Sequence, residues 1–246
     1  MAVHDFTSQR LFVTAALHPG AEIALDHGQT NYLRNVLRLG SGDILLAFNG
    51  RDGEWRCEIA ERGKRQAALV AVGQVRPQEA GPDITYLFAP LKRARLDYMV
   101  QKATEMGVAR LAPVITQRTI AERINLERMQ ANVIEAAEQC GVLRVPEVAE
   151  PVKLAQALAS WPADRPLVFC DEAAPLASPI EALRGVEPGP AGVLVGPEGG
   201  FSEDERRMIR AVPGTVAVSL GPRVMRADTA AVAVLALVNV TLGDWR

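Results

Sequence analysis

The chain has 246 residues, of which 48% are hydrophobic and 23% are charged, and its formal net charge is −2. A chain of this length forms one large or two small domains and can bury a full core without a metal or a disulfide. A near-neutral charge argues against a surface that is basic throughout but permits a local basic patch, and no apolar run approaches the roughly 20 residues of a membrane span.

The number and spacing of cysteines and histidines indicate the cellular compartment and whether the protein can bind a metal. The three cysteines form no CxxC pair, and the three histidines lie near the N-terminus without ligand spacing. The first ten residues carry no apolar signal region. We therefore expect a cytoplasmic protein with no membrane association and no metal site.

Residues 1–75 are predicted to form a small β-rich domain. Asn49-Gly50 and Asp52-Gly53 are strong turn signals, and one helix follows a cap at Asp26 and presents Arg34 and Arg38 on its outer face. Strands are predicted over residues 43–48, 54–60 and 67–75. Short strands, glycine turns and a single helix are typical of a small barrel.

A different pattern begins after residues 76–83, a linker with two prolines and a glycine. Short apolar strands then alternate with helices through residues 84–246, which favours a parallel α/β sheet. The strands are predicted over residues 84–89, 111–115, 167–170, 192–196 and 215–220. The helices are predicted around residues 96–106 and over 124–139 and 230–240.

Two loops in this second region are candidates for chemistry. The first, LVGPEGGFSEDE over residues 194–205, leaves a buried strand through a Gly-Pro turn, and Ser202 and Glu205 then form a capping box. Gly199 and Gly200 can leave backbone N–H groups open to a ligand, and ligands of open α/β sheets bind beyond the carboxyl ends of the strands. A plain strand–turn–helix connection explains the same residues equally well.

The second loop, LGPRVMRADTA over residues 220–230, also leaves a strand through Gly-Pro and carries Arg223 and Arg226. It leads into a helix that is apolar almost all round, which indicates burial on most faces and packing against a second subunit. Surface solvation is the alternative for the two arginines. The sequence contains no GxxxxGK[ST], no GxGxxG after a strand and no GxSxG. Their absence disfavours hydrolases and enzymes that use nucleoside triphosphates.

Five ordered segments resemble one family. LVGPEGGFSEDE and SLGPRVMRADTAA are similar to the cofactor motifs of SPOUT methyltransferases, and most closely to the RsmE family, which methylates N3 of a uridine in 16S ribosomal RNA. YLRNVLRLGSGD (32–43) is similar to the family's N-terminal PUA-like domain, and LKRARLDYMVQKATEMGV (91–108) and EAAEQCGVLRVPEV (135–148) are similar to two further blocks. One departure is Ala227-Asp228-Thr229, where the family pattern is nearer Thr-Glu-Thr.

The resemblance implies a PUA-like β-barrel over residues 1–75 that binds RNA and a trefoil-knotted SPOUT domain over 84–246. It also implies a homodimer that binds S-adenosyl-L-methionine and acts on 16S rRNA within the small ribosomal subunit. The cofactor-binding residues that it implies are Leu194, Val195, Gly196, Pro197, Glu198, Gly199, Gly200, Phe201, Leu220, Gly221, Arg223, Val224, Met225, Arg226, Ala227 and Thr229.

Methylation of uracil N3 needs charge stabilisation and a proton acceptor, because N3–H is lost and negative charge spreads to the carbonyl oxygens. Arginine suits the first role, since it stays charged and offers a rigid fork of donors. The candidates are Arg226, Arg223 and Arg118, with either Glu138 or Asp228 taking the proton. The predicted RNA-binding residues are Arg10, Arg34, Arg38, Lys92, Arg93 and Lys102.

Two other functions compete with this hypothesis. A non-catalytic RNA-binding protein with a vestigial pocket is the leading alternative, and binding of S-adenosylmethionine would separate the two. A nucleotide-dependent α/β enzyme is the third, and it would require saturable binding of ATP or NAD.

Overall fold

The structure is a computed structural model that describes residues 7–63, 66–120, 123–175 and 178–245. It contains two compact units. The first comprises Met1–Glu79 and Ala137–Val145, and the second comprises Ala80–Ala136 and Pro146–Arg246. The first unit thus includes a segment from the middle of the chain, which the predicted division into consecutive domains did not contain.

A five-stranded sheet forms the first unit. Its strands are β1 (Arg10–Phe12), β2 (Glu22–Ala24), β3 (Ile44–Phe48), β4 (Glu54–Arg62) and β5 (Gln66–Arg76). Their order is β1-β3-β4-β5-β2, with β1 parallel to β3 and the other pairs antiparallel. Helix α1 (His27–Asn31) begins at the predicted cap, Asp26, which forms a capping box with Gln29.

The structure corrects the prediction that Arg10 contacts RNA. Arg10 Nε lies 2.9 Å from a carboxylate oxygen of Glu54, and Arg76 donates to the same carboxylate at 2.8 and 3.0 Å. The exposed fraction of the Arg10 side chain is only 6%, so its guanidinium does not face solvent. Arg76 also donates to the carbonyl of Gly141, which ties β5 to the segment 137–145. Arg76 therefore belongs to the sheet, although the sequence placed it in a linker.

Arg34 and Arg38 do not share one helical face as predicted. A π-helical turn, Tyr32–Val36, continues α1 and contains Arg34, which pairs with Glu61 at 3.8 Å. Arg38 lies beyond the end of this turn, where its φ of 59° breaks the helical path. Arg38 is exposed and Arg34 is half-buried, so Arg38 presents more of its side chain to solvent.

A parallel sheet forms the second unit. Its strands are β6 (Ile84–Phe88), β7 (Arg110–Ile115), β8 (Glu147–Val148), β9 (Val152–Lys153), β10 (Leu167–Cys170), β11 (Ala191–Val195) and β12 (Thr215–Val218). The order is β12-β10-β11-β6-β7-β8, with β9 also pairing β7, and each pair is parallel. The predicted α/β class with a preceding small β domain is confirmed, and the trefoil knot stays a prediction.

Helices connect these strands. They are α2 (Ala94–Glu105), α3 (Leu126–Cys140), α4 (Leu154–Ala159), α5 (Pro179–Leu183), α6 (Glu203–Arg210) and α7 (Ala227–Thr241). Helix α3 begins two residues later than predicted, so Ile124 precedes it. Helix α7 packs against α2, α5 and β11, which accounts for its apolar sequence on those sides.

Neither a membrane-spanning helix nor a metal-binding cluster occurs among the described residues. No helix among them is long and apolar enough to cross a membrane. No group of three or more histidine, cysteine or acidic side chains among them is placed to hold a metal ion.

Candidate functional site

A cavity of about 230 Å³ lies where three neighbouring strands end. Strands β10, β11 and β12 are adjacent and parallel, so their carboxyl ends meet at one edge of the sheet. The residues that follow each strand line the cavity together with the first turn of α7. The lining residues are Cys170, Asp171, Glu172, Val195, Gly196, Pro197, Glu198, Gly199, Gly200, Val218, Ser219, Leu220, Gly221, Arg223, Val224, Met225, Ala227 and Ala230.

The loop after β11, residues 196–202, turns tightly at its glycines. Gly200 N–H donates to the carbonyl of Pro197 at 2.8 Å, and Gly200 has a φ of 67°, a left-handed conformation that disfavours residues with a Cβ. A Cβ at Gly200 would overlap the carboxylate of Glu172. The absence of a side chain here leaves the backbone exposed to the cavity.

Two side chains from other elements hold this loop. Arg118, in the loop after β7, donates to the carbonyl of Gly199 at 2.6 Å. Glu205 accepts from the backbone N–H of Ser202 at 2.9 Å and of Gln117 at 2.7 Å. The predicted capping box is confirmed, and its carboxylate also bridges the loops after β7 and β11.

A buried carboxylate supports the opposite wall. Asp171, which is 1% exposed, accepts from Arg206 and from Arg210, both at 2.6 Å. Arg206 also contacts Glu172 at 2.5 Å, and the Glu172 side chain is 60% exposed. Arg206 and Arg210 of α6 therefore neutralise Asp171. Arg206 also restrains Glu172, a more exposed carboxylate that lines the cavity.

Few hydrogen bonds restrain the loop after β12, residues 219–226. Gly221 N–H donates to the Ser219 hydroxyl at 3.4 Å, a weak contact. Val224 is completely exposed, and the side chains of Arg223 and Arg226 are exposed as well. Arg226 occupies the N-cap position of α7 and is exposed, so its guanidinium is accessible to a ligand.

The cavity contains one thiol, that of Cys170. Burial raises its pKa to about 12, with a further rise from the nearby charge of Glu172. The thiol therefore stays protonated at neutral pH. Because the thiolate is the nucleophilic form, Cys170 is a poor acceptor for a transferred group.

The structure places most of the residues predicted to bind the cofactor around this cavity. Those that line it are Val195, Gly196, Pro197, Glu198, Gly199, Gly200, Leu220, Gly221, Arg223, Val224, Met225 and Ala227. Leu194 and Phe201 instead pack in the hydrophobic core beneath it, with Phe201 against Phe169. Arg226 and Thr229 do not belong to the lining.

The segment Cys170-Asp171-Glu172 also lines the cavity, together with Val218, Ser219 and Ala230, and these residues were not predicted from the sequence. An available signal was the pair of acidic residues directly after the apolar strand LVFC, because polar residues at a strand's carboxyl end adjoin the ligand edge of such a sheet.

The two candidate proton acceptors have different surroundings. Glu138 belongs to the first unit and accepts from the backbone N–H of Phe12 at 2.8 Å. Asp228 lies in the first turn of α7, is half-buried, and accepts from the N–H of Thr229 at 2.9 Å. Asp228 therefore adjoins the loop of Arg223 and Arg226, whereas Glu138 caps a backbone group in the other unit.

The remaining predicted RNA contacts lie near the start and end of α2. Lys92 and Arg93 are exposed at its start, and no hydrogen bond or ion pair among the described residues involves either side chain. Lys102 is half-buried and pairs with Glu105 at 2.7 Å. Lys92 and Arg93 are thus the more accessible cations.

Two family models match the chain. One describes an RNA methyltransferase domain and matches residues 78–239, and the other describes an RNA methyltransferase PUA domain and matches residues 25–72. Among curated relatives, ribosomal RNA small subunit methyltransferase E of Rickettsia conorii is 29% identical over 94% of this chain and 95% of its own. The protein of the same name from Synechocystis is 30% identical over 90% of this chain and 74% of its own.

Solved structures show the same similarity. Ribosomal RNA small subunit methyltransferase E of Neisseria gonorrhoeae, bound to S-adenosylmethionine, superposes with a TM-score of 0.88 at 26% identity, over 97% of this chain and 100% of that one. A Legionella pneumophila protein in complex with the same cofactor superposes with a TM-score of 0.83 at 29% identity, over 96% and 99% of the two chains.

Proposed function

We infer the function of this chain from its family, because it belongs to the RNA methyltransferases and resembles ribosomal RNA small subunit methyltransferases E over nearly its whole length. We propose that it transfers the methyl group of S-adenosylmethionine to N3 of a uridine in 16S ribosomal RNA. The observation that carries this proposal is the cavity at the ends of β10, β11 and β12, because both loops of the family resemblance line it.

The cavity suits S-adenosylmethionine in shape and charge. Gly200 provides a side-chain-free surface at which backbone groups can approach a ligand, and Val195, Leu220 and Met225 supply apolar contacts. Glu172 offers a carboxylate to hydroxyl or ammonium groups. When bound, S-adenosylmethionine supplies an electrophilic methyl group on a sulfonium.

Arg226 and Arg223 are proposed to stabilise the charge that develops on the uracil. Loss of the N3 proton during attack spreads negative charge to the two flanking carbonyl oxygens. A guanidinium beside those oxygens acts mainly in the transition state, because the neutral uracil attracts it less. Arg118 is proposed to act differently, since its contact with the Gly199 carbonyl makes it a positioning residue for the first loop.

Asp228 is proposed to take the N3 proton, directly or through water. It adjoins the arginines of the second loop at the start of α7, whereas Glu138 belongs to the first unit. Each of the two carboxylates accepts a backbone hydrogen bond, so its place in the fold is what favours Asp228. A half-buried carboxylate near the reacting group can act as a general base when substrate binding brings the proton within reach. The aspartate that replaces the family's glutamate retains the carboxylate.

A homodimer is proposed from the less buried face of α7. This face is apolar and follows helical spacing, with Val232, Ala233, Ala236, Leu237 and Val240. Val240 is 49% exposed, and an exposed apolar stripe of this kind is typical of a subunit interface. Sedimentation of the wild-type protein should give a dimer, and Val240→Asp should shift it toward monomer.

The first unit is proposed to dock on RNA, with Arg34 and Arg38 near phosphates, and the small ribosomal subunit in the cytoplasm is the proposed substrate. The test is mass spectrometry of 16S rRNA from a strain that lacks the gene. We expect one 3-methyluridine to be lost, restored by the wild-type gene and not by Arg226→Ala. An unchanged set of methylated nucleosides would contradict the proposal.

A further inference from the structure

A second cavity, of about 380 Å³, lies beside the one already described, and we call it the Pro90 cleft. Its apolar walls come from Pro90, Leu91, Ile120 and Pro197. Ile120 is 62% exposed, although a side chain of this type normally loses most of its contact with water in a folded protein. An apolar cleft of this volume matches the size of sites that bind small organic groups.

Charged groups surround this cleft and are predominantly basic. Lys92, Arg95 and Glu198 contribute to its lining, and Arg93 follows Lys92 along the chain. Arg95 pairs with Glu198, so those two charges offset each other. Lys92 and Arg93 are then left as two exposed cations. The surroundings therefore favour an anionic ligand that also carries an apolar part.

Pro197 and Glu198 line both the Pro90 cleft and the cavity at the ends of β10–β12. This dipeptide therefore forms the wall between the two, and a group in the cleft lies on the far side of the first loop from the cofactor. A ligand there is close to the reaction without being the group that is methylated. Glu198 also connects the cleft to this loop through its pair with Arg95.

We propose that the Pro90 cleft receives the base of an RNA nucleotide that flanks the target uridine, while Lys92 and Arg93 contact the adjacent phosphates. This inference rests on the proposed function, because it requires an RNA substrate at the neighbouring cavity. The face of an unstacked base packs against apolar side chains in protein pockets, and phosphates attract lysine and arginine. The cleft thus helps to place the RNA strand so that one uridine reaches the cofactor.

The test compares three variants in equilibrium co-sedimentation with small ribosomal subunits from a strain that lacks the gene, across a series of salt concentrations. Ile120→Ser should weaken binding roughly fivefold without changing the salt dependence, because it removes apolar contact alone. Lys92→Ala should weaken binding and lower the slope of log K against log salt by about one. The matched control is Ile180→Ser, an exposed isoleucine on α5, which should bind RNA as the wild type does.

Wild-type affinity for RNA in Ile120→Ser would overturn the inference. A shift of Ile120→Ser toward monomer in sedimentation would also overturn it, since a second copy of the chain would then cover the cleft. Binding is measured apart from catalysis, so the two proposals fail separately. A wild-type protein that binds the small subunits but does not methylate their RNA would contradict the proposed function, while the comparison of Ile120→Ser with Ile180→Ser would still decide the role of the cleft.

Discussion

The two loops that frame the cofactor cavity differ in how firmly the rest of the protein holds them. Loop 196–202 is held at Gly199 by Arg118 and at Ser202 by Glu205. Loop 219–226 is held less firmly. Among the described residues, the hydrogen bond within this loop is the weak contact of Gly221 N–H with the Ser219 hydroxyl. Both loops leave parallel strands of the same sheet, β11 and β12, through Gly-Pro, so the turn sequence alone does not produce this difference.

This contrast indicates that the two loops have different roles. A loop that is already rigid loses little conformational entropy when a cofactor binds, so more of the contact energy remains as affinity. A loop with exposed arginines and few bonds can adjust around a substrate. We therefore propose that the first loop contributes more to cofactor binding and that the arginines of the second loop contact the reacting uracil.

The largest expected effect is at Arg226, in the second loop. Arg226→Ala should lower single-turnover methyl transfer by about 100-fold, because one donor to the developing charge is lost. Arg226→Lys should rescue poorly, since a point charge lacks the planar fork. Calorimetry should show nearly normal affinity for S-adenosylmethionine in both variants. Loss of cofactor affinity in proportion to activity would place Arg226 in the cofactor site instead.

Gly200→Ala tests the first loop. A Cβ at a φ of 67° costs about 1–2 kcal/mol, and it also displaces the Glu172 carboxylate. The loop should shift to relieve this strain, and the affinity for S-adenosylmethionine should fall about tenfold. The matched control is Gly185→Ala, where a Cβ meets nothing within 4 Å. Equal cofactor affinities in the two variants would remove the first loop from the binding site.

Arg118→Met tests whether Arg118 positions the first loop or acts on the uracil. Methionine keeps an apolar chain beside Gly199 but cannot donate to its carbonyl, so cofactor affinity should fall about fivefold, as expected for one exposed charge-assisted hydrogen bond. The turnover rate at saturating cofactor should change little. If turnover fell sharply at unchanged cofactor affinity, Arg118 would act on the uracil, as the sequence analysis first suggested.

The smallest expected effect is a difference in the rate of limited proteolysis within the wild-type protein, and its measurement needs no substitution. Trypsin should cleave the free protein after Arg223 before it cleaves after Arg118, because the second loop has few restraining bonds and a fully exposed Val224. S-adenosylmethionine should slow cleavage at Arg223. Faster cleavage at Arg118 would reverse the proposed order of rigidity.

Local features of the site were predictable from the sequence. The capping box of Ser202 and Glu205 follows from a spacing of three residues, and the strand LVFC ends at the predicted Cys170. Such features depend on neighbours in the chain, so propensity and periodicity are sufficient to find them.

Features that depend on distant pairs were not predictable. Arg10 was expected on the RNA surface, but Glu54, 44 residues away, binds it inside the first unit. Asp171 meets Arg206 across 35 residues, and nothing in either local sequence indicates the other. The burial of the Phe201 ring was missed for the same reason, because the ring that it contacts belongs to Phe169 in β10.

The central claim is that this chain methylates N3 of a uridine with S-adenosylmethionine as the donor. The direct test incubates the purified protein with methyl-labelled S-adenosylmethionine and small ribosomal subunits from a strain that lacks the gene, followed by nucleoside analysis of the 16S rRNA. We predict label in 3-methyluridine alone, with an initial rate of labelling about 100-fold lower when Arg226→Ala replaces the wild type. Label in another nucleoside, or none with wild-type protein that binds the cofactor, would contradict the account.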